Sequence, residues 1–213
     1  MDFRSRHRLN NKVGGQNHLN DDVLFHSEGA WGMPGLGAIQ KTDAKTMKPF
    51  SFKGESDGVH FFVEDFTLNR CWNRVEYYGE KFKDFEIVLT PDFSLFTDMP
   101  KALQVFNVYR NRYIGRYWQE MGLTVAPSVS WAKKDTFDFC FEGIPKNSVV
   151  AISTQGVKNK GLFFAGFEKM IELSPVQILV YGTSRYMQEI DDYKIDTRFF
   201  KTHFEQKRHG WKG

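Results

Sequence analysis

Asp65 and Asp92 each stand just past a short apolar run, 59–63 and 85–89, where the chain turns polar. Carboxylates from neighbouring strand ends can share a proton, divide acid and base duties, or hold a hard metal ion. Ser94 lies two residues beyond Asp92, so in an extended chain both side chains face one side. Each aspartate also suits a plainer role, Asp65 capping a helix that starts near Phe66 and Asp92 capping a turn after Pro91. These two are the candidate catalytic residues, with metal and cofactor left unspecified.

Candidate ligand contacts lie around them. Arg112 and Arg116, four residues apart on one helix edge, can clamp a phosphate or carboxylate, or can run along Tyr and Trp rings and pair with surface acids. Trp131, close to Pro127, can wall a base or sugar or simply pack. Ser153, Thr154, Gln155 and Gly156 offer hydroxyls, an amide and a close-approach glycine, a composition suited to phosphate or sugar. Lys201, Lys207 and Arg208 belong to a C-terminal stretch, 194–213, with six Lys or Arg against two acids; residues 1–20 carry four against Asp2 alone. Basic ends on a mildly acidic body suit a polyanion such as nucleic acid, and would equally serve as solvated tails.

Several classes drop out. The glycines at 29–37 precede no Gly-Lys-Ser or Gly-Lys-Thr, and no His-Glu-x-x-His pair, Gly-x-Ser-x-Gly elbow or dinucleotide fingerprint occurs. Cys71 and Cys140 are far apart in aromatic surroundings and read as buried thiols in a reducing compartment. No stretch approaches the apolar length of a membrane span, and residues 1–20 lack the apolar run of a secretory signal, so no membrane is expected.

The elements that must position these residues follow from the hydrophobic pattern. Short β-branched or aromatic runs near 59–65, 85–91, 124–130, 148–153 and 176–181 are predicted strands. Between them 100–121 has helical spacing, opening at Pro100 and stopping at Gly122; 162–173 is a second helix, and 132–145 holds only a brief one. Strand, crossover and strand in alternation predict an α/β fold, a mostly parallel sheet or partial (β/α) barrel of about five strands. The expected division is a loop-rich N-terminal arm over 1–58, a core domain over 59–190 and a basic tail over 191–213. In such folds the loops at the strand carboxyl ends converge, which is where Asp65, Asp92, Ser94, Trp131, Ser153 and Gly156 fall.

The motifs LTPDFS at 89–94, VYRNRYIGRYW at 108–118, PSVSW at 127–131, FCFEGIP at 139–145 and VAISTQG at 150–156 occur in an order that resembles domain of unknown function 4417. The likeness extends over about 59–182, and the family is found largely in phages and mobile elements. The resemblance implies a phage-type protein working in the cytoplasm of a bacterial host, and it carries no assigned activity. Its motif residues Asp92, Ser94, Arg112, Arg116, Trp131, Glu142, Ser153 and Gly156 overlap the strand-end set. Two functions compete: an enzyme or ligand-binding domain for a nucleotide, nucleic acid or sugar phosphate, and a non-catalytic protein whose basic arms bind nucleic acid or a host protein. Oligomeric state is left open.

Overall fold

A computed structural model describes residues 24–27 and 29–202. The apolar runs become short strands: β1 (Met47–Pro49), β2 (Gly58–His60), β3 (Ile87–Leu89), β4 (Val125–Ala126), β5 (Val149–Ser153), β6 (Gln177–Gly182) and β7 (Thr197–Lys201). They form a four-stranded sheet, β1-β2-β3-β4, and a three-stranded sheet, β5-β6-β7, with every pair parallel. Ala151 N donates to Pro127 O and Val129 N to Ala151 O, both at 2.8 Å, and this short bridge ties the sheets together. The strands therefore follow one another in sequence order, as in the wall of a (β/α) barrel.

The wall curls on itself. The His60 ring on β2 lies 4.0 Å from that of Tyr181 on β6, and Arg198 of β7 reaches Ala44 O and the Asp43 carboxylate ahead of β1. The parallel α/β fold is thus as expected, with two strands more than the sequence pattern marks. β1 and β7 fall in the stretches read as arm and tail. Lys48, Pro49, Arg198 and Lys201 interrupt their apolar pattern, so pairing with β2 and β6, rather than local composition, makes them strands. Pro49 is tolerated because β1 is the edge of its sheet.

Among the described residues six α-helices cover the wall: α1 (Asp65–Asn73), α2 (Val75–Lys81), α3 (Lys101–Glu120), α4 (Phe137–Cys140), α5 (Lys160–Ile171) and α6 (Met187–Asp191). Helix α3 starts one residue after Pro100, and the chain leaves it through Gly122, whose φ of +93° is the left-handed turn a helix end favours. Trp118 on α3 is fully buried against Phe61 and Phe82 and donates its indole N–H to Val75 O at 2.9 Å. Alternation along β5 and β6 splits the second sheet's faces: Val150, Ile152, Ile178 and Val180 pack under Phe163, Phe167 and Met170 of α5, while Ala151, Leu179 and Tyr181 join the other core. Cys71 and Cys140 are buried free thiols. Among the described residues no helix is long and apolar enough to cross a membrane.

His60 is sealed between the sheets. Its Nδ1 accepts the Phe62 N–H at 3.4 Å, its Nε2 has no partner, and burial holds its pKa down to about 3, so it is neutral. The unfolded chain takes up this proton near 6.5 and the native chain near 3, so the imidazole costs stability as pH falls through that window. His60→Phe, which keeps a ring beside Tyr181, is expected to lower the pH midpoint of acid unfolding, measured by circular dichroism from neutral pH downward. An unchanged midpoint would show that His60 does not drive acid unfolding.

Candidate functional site at the strand ends

The loop after β3 is built by α3. Asn111 donates to Pro91 O at 2.8 Å and to Ser128 O at 3.2 Å while accepting the Thr90 hydroxyl at 2.9 Å. Ser128 returns two bonds to Thr90, both at 2.8 Å. One buried amide thus fixes the ends of β3 and β4 against the helix, satisfying groups that would be costly to bury unpaired. One turn earlier Asn107 donates to Ser94 O at 2.7 Å, and Gln104 to Phe96 O at 2.7 Å.

Asp65, Asp92 and Ser94 come together in this frame. The Asp65 carboxylate, in the first turn of α1, takes both the backbone N–H and the hydroxyl of Ser94, at 3.0 and 2.9 Å. Asp65 therefore ties α1 to the β3–α3 loop, and its carboxylate makes no capping bond. In Asp92, Oδ1 is sealed from solvent and has no hydrogen-bond partner. Burial pushes its pKa up to about 6; the Ser130 hydroxyl opposes this, Asp65 adds to it, and Arg112 opposes it. The arrangement provides an acid that titrates close to neutrality beside a second carboxylate, the requirement for acid–base work.

The paired-arginine clamp is not what the structure builds. Arg112 is buried, with its guanidinium donating to Cys140 O, Glu142 O and Ser128 O and to the Asn111 side chain. Arg116, a turn further on, pairs with Glu120 and donates to Gly35 O at 3.3 Å. Four-residue spacing placed both on one helix edge, but the 128–142 segment closes over the first and residue 35 lies on the second. Arg110 is the guanidinium whose charge faces Asp65, as that of Arg112 faces Asp92. It lies 3.8 Å over the Phe93 ring and 4.9 Å from that of Phe106, bonds Asn69 at 2.8 Å, and feels the charge of Asp65.

Trp131 is taken up by packing: its N–H donates to Leu162 O at 3.1 Å, its ring lies against Phe141 and Phe163, and a Cβ on Gly166 would come within 2.2 Å of its Nε1. Ser153 ends β5 with its hydroxyl accepting Gln155 N at 3.1 Å, and Gly156 turns in the open with φ +76°. Among the described residues no hydrogen bond joins either to the Asp65–Ser94 pair. Lys201 is exposed at the end of β7, while Lys207 and Arg208 lie outside the described residues. Sequence reading underweighted Asn107, Asn111 and Arg110, whose only signal was proximity to Arg112 on the helix, and Ser130, whose signal was its place at a strand end.

Among the described residues, cavities are formed elsewhere, and three stand out. One, about 460 Å³, lies between α5 and α6 beside Lys160 and Glu189; a second, about 480 Å³, lies between Met33, Leu36, Arg116 and Glu142; a third, among His60, Leu89, Tyr181 and Phe200, is too tight for water. None of the three is lined by Asp65, Asp92 or Ser153.

The family model described as Domain of unknown function (DUF4417) matches residues 25–201, which takes in every strand. The Gene 1 protein of Mycobacterium phage L5 is 36% identical over 201 residues, 89% of this chain and 87% of the relative. The Gene 1 protein of Mycobacterium phage D29 is 39% identical over 202 residues, 89% of this chain and 74% of the relative. No solved structure matches the chain.

Two stability measurements check the site. Arg112→Lys, which cannot reach the same set of carbonyls, is expected to cost about 3–5 kcal/mol in urea denaturation; a loss within experimental error would show that the carbonyls are satisfied otherwise. A carboxyl whose native pKa is raised destabilises the fold once it ionises, so this cost is absent below pH 3.8 and complete above about 6. Asp92→Asn is therefore expected to stabilise the protein at pH 8, on the order of 2–3 kcal/mol, and to change little at pH 3.5.

Proposed function

Since the chain belongs to the family described as a domain of unknown function, DUF4417, and its strand ends set a half-buried acid beside a second carboxylate, we propose that it is an enzyme or ligand-binding domain acting there on a nucleotide, nucleic acid or sugar phosphate. The observation that carries this reading is Asp92, half-buried, with one oxygen sealed from solvent and unpartnered among the described residues and a pKa of about 6. At neutral pH such a group is largely ionised and can accept a proton from a substrate hydroxyl or a water as general base. Asp65 and Ser94 hold the neighbouring loop in place, and Arg110 supplies the cation for an anionic substrate. Ser153 and Gly156 are left as contacts for a more distant part of the ligand. The setting proposed is the cytoplasm of a bacterial host, a reading supported by the phage origin of the relatives.

A second reading draws on the cavities lying away from Asp92: a non-catalytic protein that binds nucleic acid or a host protein across its surface, with Lys201 and the basic tail contributing. Thermal-shift titration with nucleoside phosphates, sugar phosphates and short oligonucleotides separates the two. The strand-end reading expects a ligand that raises the melting temperature of wild type and not of Asp92→Asn, and a turnover, once found, that rises with pH through about 6. A panel that shifts neither protein, or both equally, rejects it.

A further inference from the structure

We infer that the solvent face of α1, continued into α2 and flanked by α3, is a binding surface for a single-stranded polynucleotide. Phe66, Asn69, Arg70 and Asn73 are exposed at helical spacing on α1, and Arg74 and Tyr77 follow them, also exposed, across the break at Arg74 between α1 and α2. Two rings, two amides and two guanidiniums are thus presented to solvent along twelve residues. A solvated helix face ordinarily mixes acids with bases, yet the only exposed acid between Phe66 and Tyr77 is Glu76. At the ends of the stretch Glu64 is exposed, while Asp65 is held by Ser94 and Glu80 by Lys83 at 2.6 Å.

The rings are exposed well beyond ordinary surface aromatics, Phe66 to 78% and Tyr77 to 50%. Arg74 lies 4.1 Å over the Tyr77 ring, and neither Arg70 nor Arg74 has an ion pair among the described residues. Helix α3 widens the surface. Phe106, 44% exposed, stands edge-on to Trp72 at 5.8 Å, and Arg110 beside it bonds Asn69.

The chemistry selects the occupant. Exposed ring faces offer stacking to unpaired bases, and guanidiniums between them offer bidentate contacts to phosphates, the combination by which single strands are held without reading sequence. An apolar protein surface docking here would bury the Arg70 and Arg74 charges without partners, at a cost that disfavours a second copy of this chain. A duplex keeps its base faces stacked inside and would leave the rings unused. The inference stands on α1, α2 and α3 and does not require the strand-end chemistry.

Fluorescence anisotropy of the full chain with labelled oligothymidylate and oligouridylate tests it. Either oligomer is expected to bind, more tightly than a blunt duplex of equal length and less tightly as salt rises. Phe66→Ala and Phe106→Ala, both at the surface, are each expected to weaken binding about 5- to 100-fold without changing the melting temperature. Arg70→Ala with Arg74→Ala is expected to reduce the slope of log affinity against log salt by about 1.4. Binding to neither oligomer, affinity that these four substitutions leave unchanged, or a dimer in sedimentation that Phe66→Ala dissolves would each overturn the proposal. An oligonucleotide held on α1 shifts wild type and Asp92→Asn alike, so the strand-end reading is judged on the nucleoside and sugar phosphates, and the two readings fail separately.

Discussion

A guanidinium buried among backbone carbonyls holds the strand-end side of this molecule together. Arg112 leaves the middle of α3 and donates to carbonyls at 128, 140 and 142, joining the helix to the end of β4 and to the turn after α4. The charge is far from water, which is costly, and the cost is offset because the planar fork meets several carbonyls at once and the Asp92 and Cys140 groups lie nearby. The restraint continues outward: Glu142, whose carbonyl Arg112 holds, takes the backbone N–H groups of Trp31 and Met33 on its carboxylate, at 3.0–3.1 Å. One side chain thereby links α3, the bridge between the sheets and the segment that precedes β1.

Asp92 acquires its properties inside that frame. A carboxylate at the end of a strand usually faces water and ionises near its ordinary value. Here the same loop that Asn111 pins through Pro91 O turns Oδ1 into protein, and burial outweighs both the Ser130 hydroxyl and the Arg112 charge. Asp65 has the opposite setting, with the Ser94 N–H and hydroxyl on it. The two aspartates, one in the first turn of α1 and one in the β3–α3 loop, thus meet different partners.

The parallel order of the strands ties these local settings to the whole. Because every pair is parallel, the loops after β2, β3, β4, β5 and β6 all emerge at one end, and the helices return along the outside. That places α1 and α3 side by side with their amino termini at the same end as Asp65 and Ser94. The α1 surface of rings and arginines therefore begins next to the aspartates.

Sequence alone determined the fold class and the end of the sheet where the aspartates gather. The runs before Asp65 and Asp92, and those near 124, 148 and 176, are apolar enough to be strands in any context, and α3 carries its own start at Pro100 and stop at Gly122. Local pattern encodes these because burial periodicity and backbone restrictions act over a few residues. Only the tertiary structure decided β1 and β7, whose polar and proline residues become strands by pairing with partners distant in sequence. It also decided the fates of Arg112 and Arg116, alike in type and in helical position, of which one is buried among carbonyls and the other left beside Glu120. Which donors a side chain meets, and how far it lies from water, depend on segments brought over it from elsewhere in the chain. Spacing along one helix carries no record of them.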